Sequence, residues 1–211
     1  LKILERETAV AEAESALGAL DLLCAEAELV ERGGWHLPER SLSPGFRFCG
    51  LVHPLLGEKA IPIDVACGDD FNILVVTGPN TGGKTVALKT VGVAVVLCWM
   101  GLPIMAREGS VVGEIDSVYV DVGDEQSIEQ NLSTFSAHVK NIVSILEEAG
   151  PGSLVLLDEL GSGTDPQEGA ALGIALLEAF REKGVLVLAT THHNPIKTYA
   201  LTTPGVETAS M

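Results

Sequence analysis

Apolar positions fall into two kinds of run along this chain. The first kind is short and continuous. Ile73-Leu74-Val75-Val76, Leu154-Val155-Leu156-Leu157 and Val185-Leu186-Val187-Leu188-Ala189 have no polar alternation. Such runs predict strands buried on both faces, as in a parallel sheet covered by helices. The second kind has helical spacing. Phe135, Val139, Ile142, Val143 and Leu146 make one helix face, and Ala170, Leu172, Ile174, Leu177 and Phe180 another. Val91 to Met100 is apolar and follows a glycine-rich loop, predicting a buried helix. Asp165-Pro166-Gln167-Glu168 is a helix start, with Asp as N-cap, Pro at the first position and Glu at the third. Strands alternating with helices give an α/β class with a mostly parallel central sheet flanked by helices.

Outside these runs the pattern weakens. Residues 1 to about 32 carry Val10, Ala13, Leu17, Leu20, Cys24 and Ala27 at spacings of three and four, a helix ended by Gly33-Gly34. Two readings stand: a helix packed on its own domain, or the end of a longer helical arm. The second is preferred, since the sequence opens at Leu1 without Met or cap and stops abruptly at Met211, as expected of a segment of a longer protein. The domains are accordingly 1–34, the end of a helical lever, and 35–211, a nucleotide-binding domain truncated at its C-terminus. Trp35 to Gly57 is irregular, with short strands at Phe46-Arg47-Phe48 and Leu51-Val52. Ile61 to Val65 alternates like an edge strand, where Pro62 is tolerated. Leu102 to Ala106 and Ser117 to Val122 are further strands, and 123–130 is a polar loop.

Gly78-Pro79-Asn80-Thr81-Gly82-Gly83-Lys84-Thr85 is the G-x-x-x-x-G-K-T pattern, placed between a strand and a helix as phosphate binding requires. The glycines let backbone N–H groups close on phosphate oxygens, and the helix N-terminus adds its positive dipole end. Lys84 brings a full charge to the outer phosphates, and the Thr85 hydroxyl suits Mg²⁺. Asp158-Glu159 ends a buried strand. Asp158 is placed to hold Mg²⁺ with Thr85, and Glu159 to polarise an attacking water. His192, after another buried strand, suits sensing of the γ-phosphate. His193 is the alternative, one position along. Ser133 and Thr134 open a helix, either as a plain N-cap or as a second anion site. Ile61 and Pro62 offer aliphatic surface to a base.

Composition narrows the partners. The formal charge is −16, which repels nucleic acid and anionic membrane. Four scattered cysteines form no C-x-x-C pair and fit a reduced, intracellular protein. The charged opening, Leu1 to Glu7, does not read as a signal peptide, and Val91 to Pro103 is too short to span a bilayer.

The four segments together, namely Gly78 to Thr85, Ser133-Thr134-Phe135, Leu156 to Thr164 and Ala189 to His192, resemble the ATPase domain of the MutS family. Asp124 to Ser136 and Thr164 to Leu172 are similar to its second-type bacterial branch, whose members usually carry a C-terminal Smr nuclease domain. The resemblance covers about residues 50 to 200. It implies an ABC-type P-loop ATPase using ATP and Mg²⁺ as a homodimer with composite sites. Gly78, Pro79, Asn80, Thr81, Gly82, Gly83, Lys84 and Thr85 would bind phosphates, Asp158 the metal, and Glu159 and His192 would act in hydrolysis. Ser133 and Thr134 would reach the partner's γ-phosphate. It also implies a cytoplasmic bacterial protein that suppresses homologous recombination by acting on branched DNA, and that splits stalled ribosomes through rRNA contacts. The parent would be an endonuclease through a domain outside this segment. Val52 stands where the family usually has Arg, and His193 where it has Tyr. Without an aromatic near Ala60-Ile61-Pro62, loose base selectivity is expected. The competing classes are a nucleotide-dependent dimerisation module with little turnover, and an ABC ATPase of the structural-maintenance type, which would need an LSGGQ-like signature.

Overall fold

The computed structural model describes residues 7–57, 60–79, 82–123 and 131–211, except the side chains of 131–134. In chain order the elements are α1 (Glu7–Glu31), β1 (Trp35–His36), β2 (Glu39–Arg40), β3 (Phe46–Leu51), β4 (Ile63–Cys67), β5 (Ile73–Thr77), α2 (Lys84–Trp99), β6 (Ile104–Met105), β7 (Val111–Val112) and β8 (Ser117–Asp121). Then come α3 (Asn131–Glu148), β9 (Ser153–Leu157), α4 (Pro166–Glu182), β10 (Leu186–Thr191), α5 (Asn194–Thr202) and β11 (Val206–Ser210).

Five strands form the central sheet in the order β11-β5-β10-β9-β8, and every pairing is parallel. The continuous apolar runs have the expected consequence. Successive side chains point to opposite faces, so each strand feeds two cores. Leu74, Val76, Leu154, Leu156, Leu186 and Leu188 meet Leu88, Val91 and Val95 of α2 on one face. Ile73, Val75, Val155, Leu157, Val187 and Ala189 meet Ile142 of α3, Leu177 and Phe180 of α4, and Ile196 of α5 on the other. The core beside α2 is shared with a second sheet, β2-β7-β3-β4, through Phe46, Phe48 and Leu51. In that sheet β4 is an edge strand, and it starts at Ile63, after Pro62.

Several elements depart from the pattern-based expectation. Phe46 to Leu51 is one strand rather than two fragments, because a register shift between Phe48 and Leu51 absorbs Cys49-Gly50. The α3 face turns on Ile142, Ile145 and the following Ala149, while Val143 is 43% exposed. β11 was not anticipated at all. No described residue of α1 is buried, and its Leu17, Leu20 and Leu23 face solvent.

Candidate nucleotide site

Because the five strands are parallel, their carboxyl ends share one edge of the sheet. Thr77 pairs in register with Thr191 and with Ser210, and Leu157 with Asp121 and Ala189. The segments leaving β5, β9 and β10 are therefore neighbours, the usual ligand position in such sheets. Gly78 leaves β5 at φ 143, and Gly83 caps α2 at φ 88, both in the left-handed region that favours glycine. At Gly78 there is a further reason. A Cβ would lie 2.4 Å from the Met211 carbonyl oxygen. Lys84, only 4% exposed, folds back so that Nζ donates to Gly78 O at 2.8 Å. Thr85 follows in the first turn of α2. Asn80 and Thr81 lie outside the described residues. The same holds for the side chains of Ser133 and Thr134, whose backbone forms the first turn of α3.

The acidic pair after β9 is organised by a residue that sequence reasoning passed over. The Thr190 hydroxyl donates to Asp158 Oδ1 at 2.5 Å and accepts from the Glu159 N–H at 2.8 Å. The Thr190 carbonyl accepts from the Leu160 N–H, and the Thr191 hydroxyl donates to Leu160 O. Both hydroxyls of this Thr-Thr step thus hold the chain leaving β9. Glu159 sits at φ 50. Among the described residues it is the one non-glycine at positive φ, a conformation costing about 1–3 kcal/mol and concentrated at functional sites. Beyond it, Gly161 is obligatory, because a Cβ there would lie 2.7 Å from Gly169 O. Among the described residues, Ser162 Oγ is the buried side-chain polar atom without a hydrogen-bond partner.

The two histidines differ. His193 is buried, caps α5, and its Nε2 donates to Gly161 O at 3.1 Å, since a carbonyl can only accept. His192 is exposed and stacks obliquely on His193, with ring centroids 4.3 Å apart. Both border a cleft of about 280 Å³ together with Thr77, Gly78, Lys197 and Met211. Partial burial pushes the His192 pKa below 6.5, helped by electrostatic interaction with the neighbouring His193 and Lys84, so the neutral imidazole is favoured. Ile61 is 83% exposed and Pro62 is also exposed; neither lines this cleft.

A phosphate-binding loop, a threonine-held Asp-Glu pair and a histidine on the adjacent strand end thus meet at one edge. The family model for MutS domain V matches residues 74–211, which contain all of them. The chain belongs to the MutS family. MutS domain V is an ATPase domain, and the fold is of that kind. The chain is 53% identical over 186 residues to a protein of Halothermothrix orenii called Endonuclease MutS2, covering 85% of this chain and 24% of that one. It is 53% identical over 194 residues to the Endonuclease MutS2 of Thermomicrobium roseum, covering 92% and 24%. For the Endonuclease MutS2 of Clostridium botulinum the figures are 56% over 160 residues, covering 75% and 20%. These likenesses make it a MutS2-type member. The chain spans about a quarter of the length of these relatives. Among the described residues no helix is long and apolar enough to cross a membrane.

Proposed function

We propose that this MutS-family ATPase domain binds Mg-ATP on Gly78 to Thr85 and hydrolyses it with Glu159 as the residue that orients and deprotonates water. The observation that carries the reading is the Thr190 bridge, which holds Asp158 and Glu159 at the strand edge shared with Lys84. The fit to a nucleotide rests on the chain's own groups. Glycines in the left-handed region stand at both ends of the loop, Gly78 and Gly83, and the buried Lys84 ammonium is held on the Gly78 carbonyl. Among the described residues no cluster of three His, Cys, Asp or Glu forms a closed metal cage. That suits Mg²⁺, which takes one or two protein oxygens and completes its shell with phosphate and water. Thr85 and Asp158 would hold it, and it would neutralise charge on the phosphates. His192, neutral and exposed at the cleft, would read the γ-phosphate through a hydrogen bond.

The finer parts of the reading concern the longer protein. Two copies would pair so that Ser133 and Thr134 of one meet the nucleotide of the other, with the loop Ser162 to Asp165 crossing between them. With a charge of −16, contact with branched DNA falls to other parts of the protein, as do any ribosome contact and nuclease activity. Suppression of recombination in the bacterial cytoplasm is the setting proposed.

The test is Glu159→Gln in the full-length protein. ATP binding should persist, phosphate release should cease, and light scattering should show dimers accumulating with ATP. Unchanged turnover would remove Glu159 from its role. A wild type that binds ATP and pairs but releases no phosphate would make the domain a dimerisation module instead.

A further inference from the structure

We infer that Asp121 is a positioning residue for turnover, latching the N-terminal half of α3 to the sheet edge at Asp158. Asp121 ends β8 and is 6% exposed. All three of its oxygens are engaged. Oδ2 takes the His138 Nδ1 proton at 2.9 Å, and Oδ1 takes an Asn141 Nδ2 proton at 2.8 Å. The carbonyl oxygen accepts from the Asp158 N–H at 2.9 Å. One residue thus joins two side chains on successive turns of α3 to the first residue beyond β9.

The packing explains why a polar latch is needed there. The buried apolar residues of α3 begin at Ile142. Among its described side chains, from Phe135 to Asn141, none is buried, so burial of apolar area fixes that stretch only weakly. What fixes it is Asp121 on one side and the loop beyond Glu159 on the other. A Cβ on Gly163 would come within 3.4 Å of Phe135 Cβ. The His138 ring lies against Gly123, where a Cβ would meet Cε1 and Nε2 at 3.0 Å, so a larger residue at 123 would press on the ring. The half of α3 that begins at Asn131, and so carries Ser133 and Thr134, is positioned from both sides of the Asp158-Glu159 step. A shift of that step on nucleotide binding would pass through Asp121 to the surface offered to a second copy. This inference rests on the ATPase dimer proposed above.

His138→Ala and His138→Asn in the full-length protein test it, Asn keeping a donor near the position of Nδ1. In His138→Ala, kcat should fall by about tenfold to a hundredfold, the range for a displaced catalytic group. The Kd for a fluorescent ATP analogue should stay within about twofold. His138→Asn should restore most of kcat, and amide exchange over residues 135–141 should quicken in the Ala variant only. Unchanged kcat in His138→Ala, no rescue by Asn, or equal loss of binding and turnover would each overturn the positioning role. Exchange that is the same in all three proteins would overturn the latch itself. If the wild type releases no phosphate, the functional reading fails, and the latch is still judged by the exchange.

Discussion

Replacing Thr190 by Val would keep the outline of the side chain and remove its hydroxyl. Asp158 Oδ1 would lose its donor and the Glu159 N–H its acceptor. Leaving such groups unsatisfied costs about 1–3 kcal/mol, so the urea midpoint should fall. Turnover should fall too, because the Asp-Glu step would no longer be held. A variant with wild-type stability and turnover would show the bridge to be incidental. His192 gives a pH prediction. Its pKa lies below 6.5 in the folded chain, so the neutral ring persists to lower pH than in a free imidazole. If turnover uses that neutral ring, the acid limb of the kcat/KM profile, which reports the free enzyme, should lie below pH 6.5, and His192→Asn should remove it. The places of Lys84 and Thr85 at the start of α2, and of Asp158, Glu159 and His192 just beyond β9 and β10, were legible because the G-x-x-x-x-G-K-T string and the ends of the apolar runs mark those boundaries. Thr190 was not, since a threonine in a strand reads equally well as β-branched packing. Asp121 was hidden for a related reason: its partners lie 17 and 20 positions away, beyond any local pattern.

At the level of elements, α4 shows how far local chemistry decides a boundary. Asp165 accepts from the backbone N–H of Gln167 and Glu168, as the Asp-Pro-Gln-Glu string implies. Asp165→Ala should cost about 0.5–2 kcal/mol in chemical unfolding. α4 and α5 are then joined by Glu178. Its carboxylate takes two bonds from Arg181 and one from the Tyr199 hydroxyl. The Arg181 bonds, then the Tyr199 bond, hold the Glu178 pKa down to about 2, from an ordinary 4.5. The lowered value means that this contribution is present above pH 4.5 and is lost as pH falls towards 2. Partial burial, then the bond to Glu178, raises Tyr199 to about 12, so its contribution is present below pH 10 and is lost as pH climbs towards 12. Both groups are partly solvated, which screens these effects. Tyr199→Phe should lower the thermal midpoint at neutral pH and flatten its decline between pH 10 and 12. Persistence of the full wild-type decline would assign it elsewhere. The long helices and continuous strands were readable from periodicity, whereas β11 was not. Val206-Glu207-Thr208-Ala209-Ser210 is mostly polar or small, and only pairing with β5 makes it a strand.

For the whole molecule, the two cores lie against the central sheet and α1 joins neither. Since its described residues bury no side chain, removing residues 1–32 should leave the unfolding midpoint of the remainder within about 5 °C. A larger drop in calorimetry would show that α1 shields more of the core than its exposure implies. The sheet has a different dependence on the far end of the chain. β5 is an interior strand because β11 pairs along its whole length, and Met211 donates its N–H to Thr77 O. A protein shortened before Val206 would expose the backbone donors and acceptors of Ile73 to Thr77, an open edge that invites a strand from another molecule. Self-association of such a shortened protein would then be edge pairing with no dependence on nucleotide. Any test of ATP-driven pairing must therefore keep β11 in place.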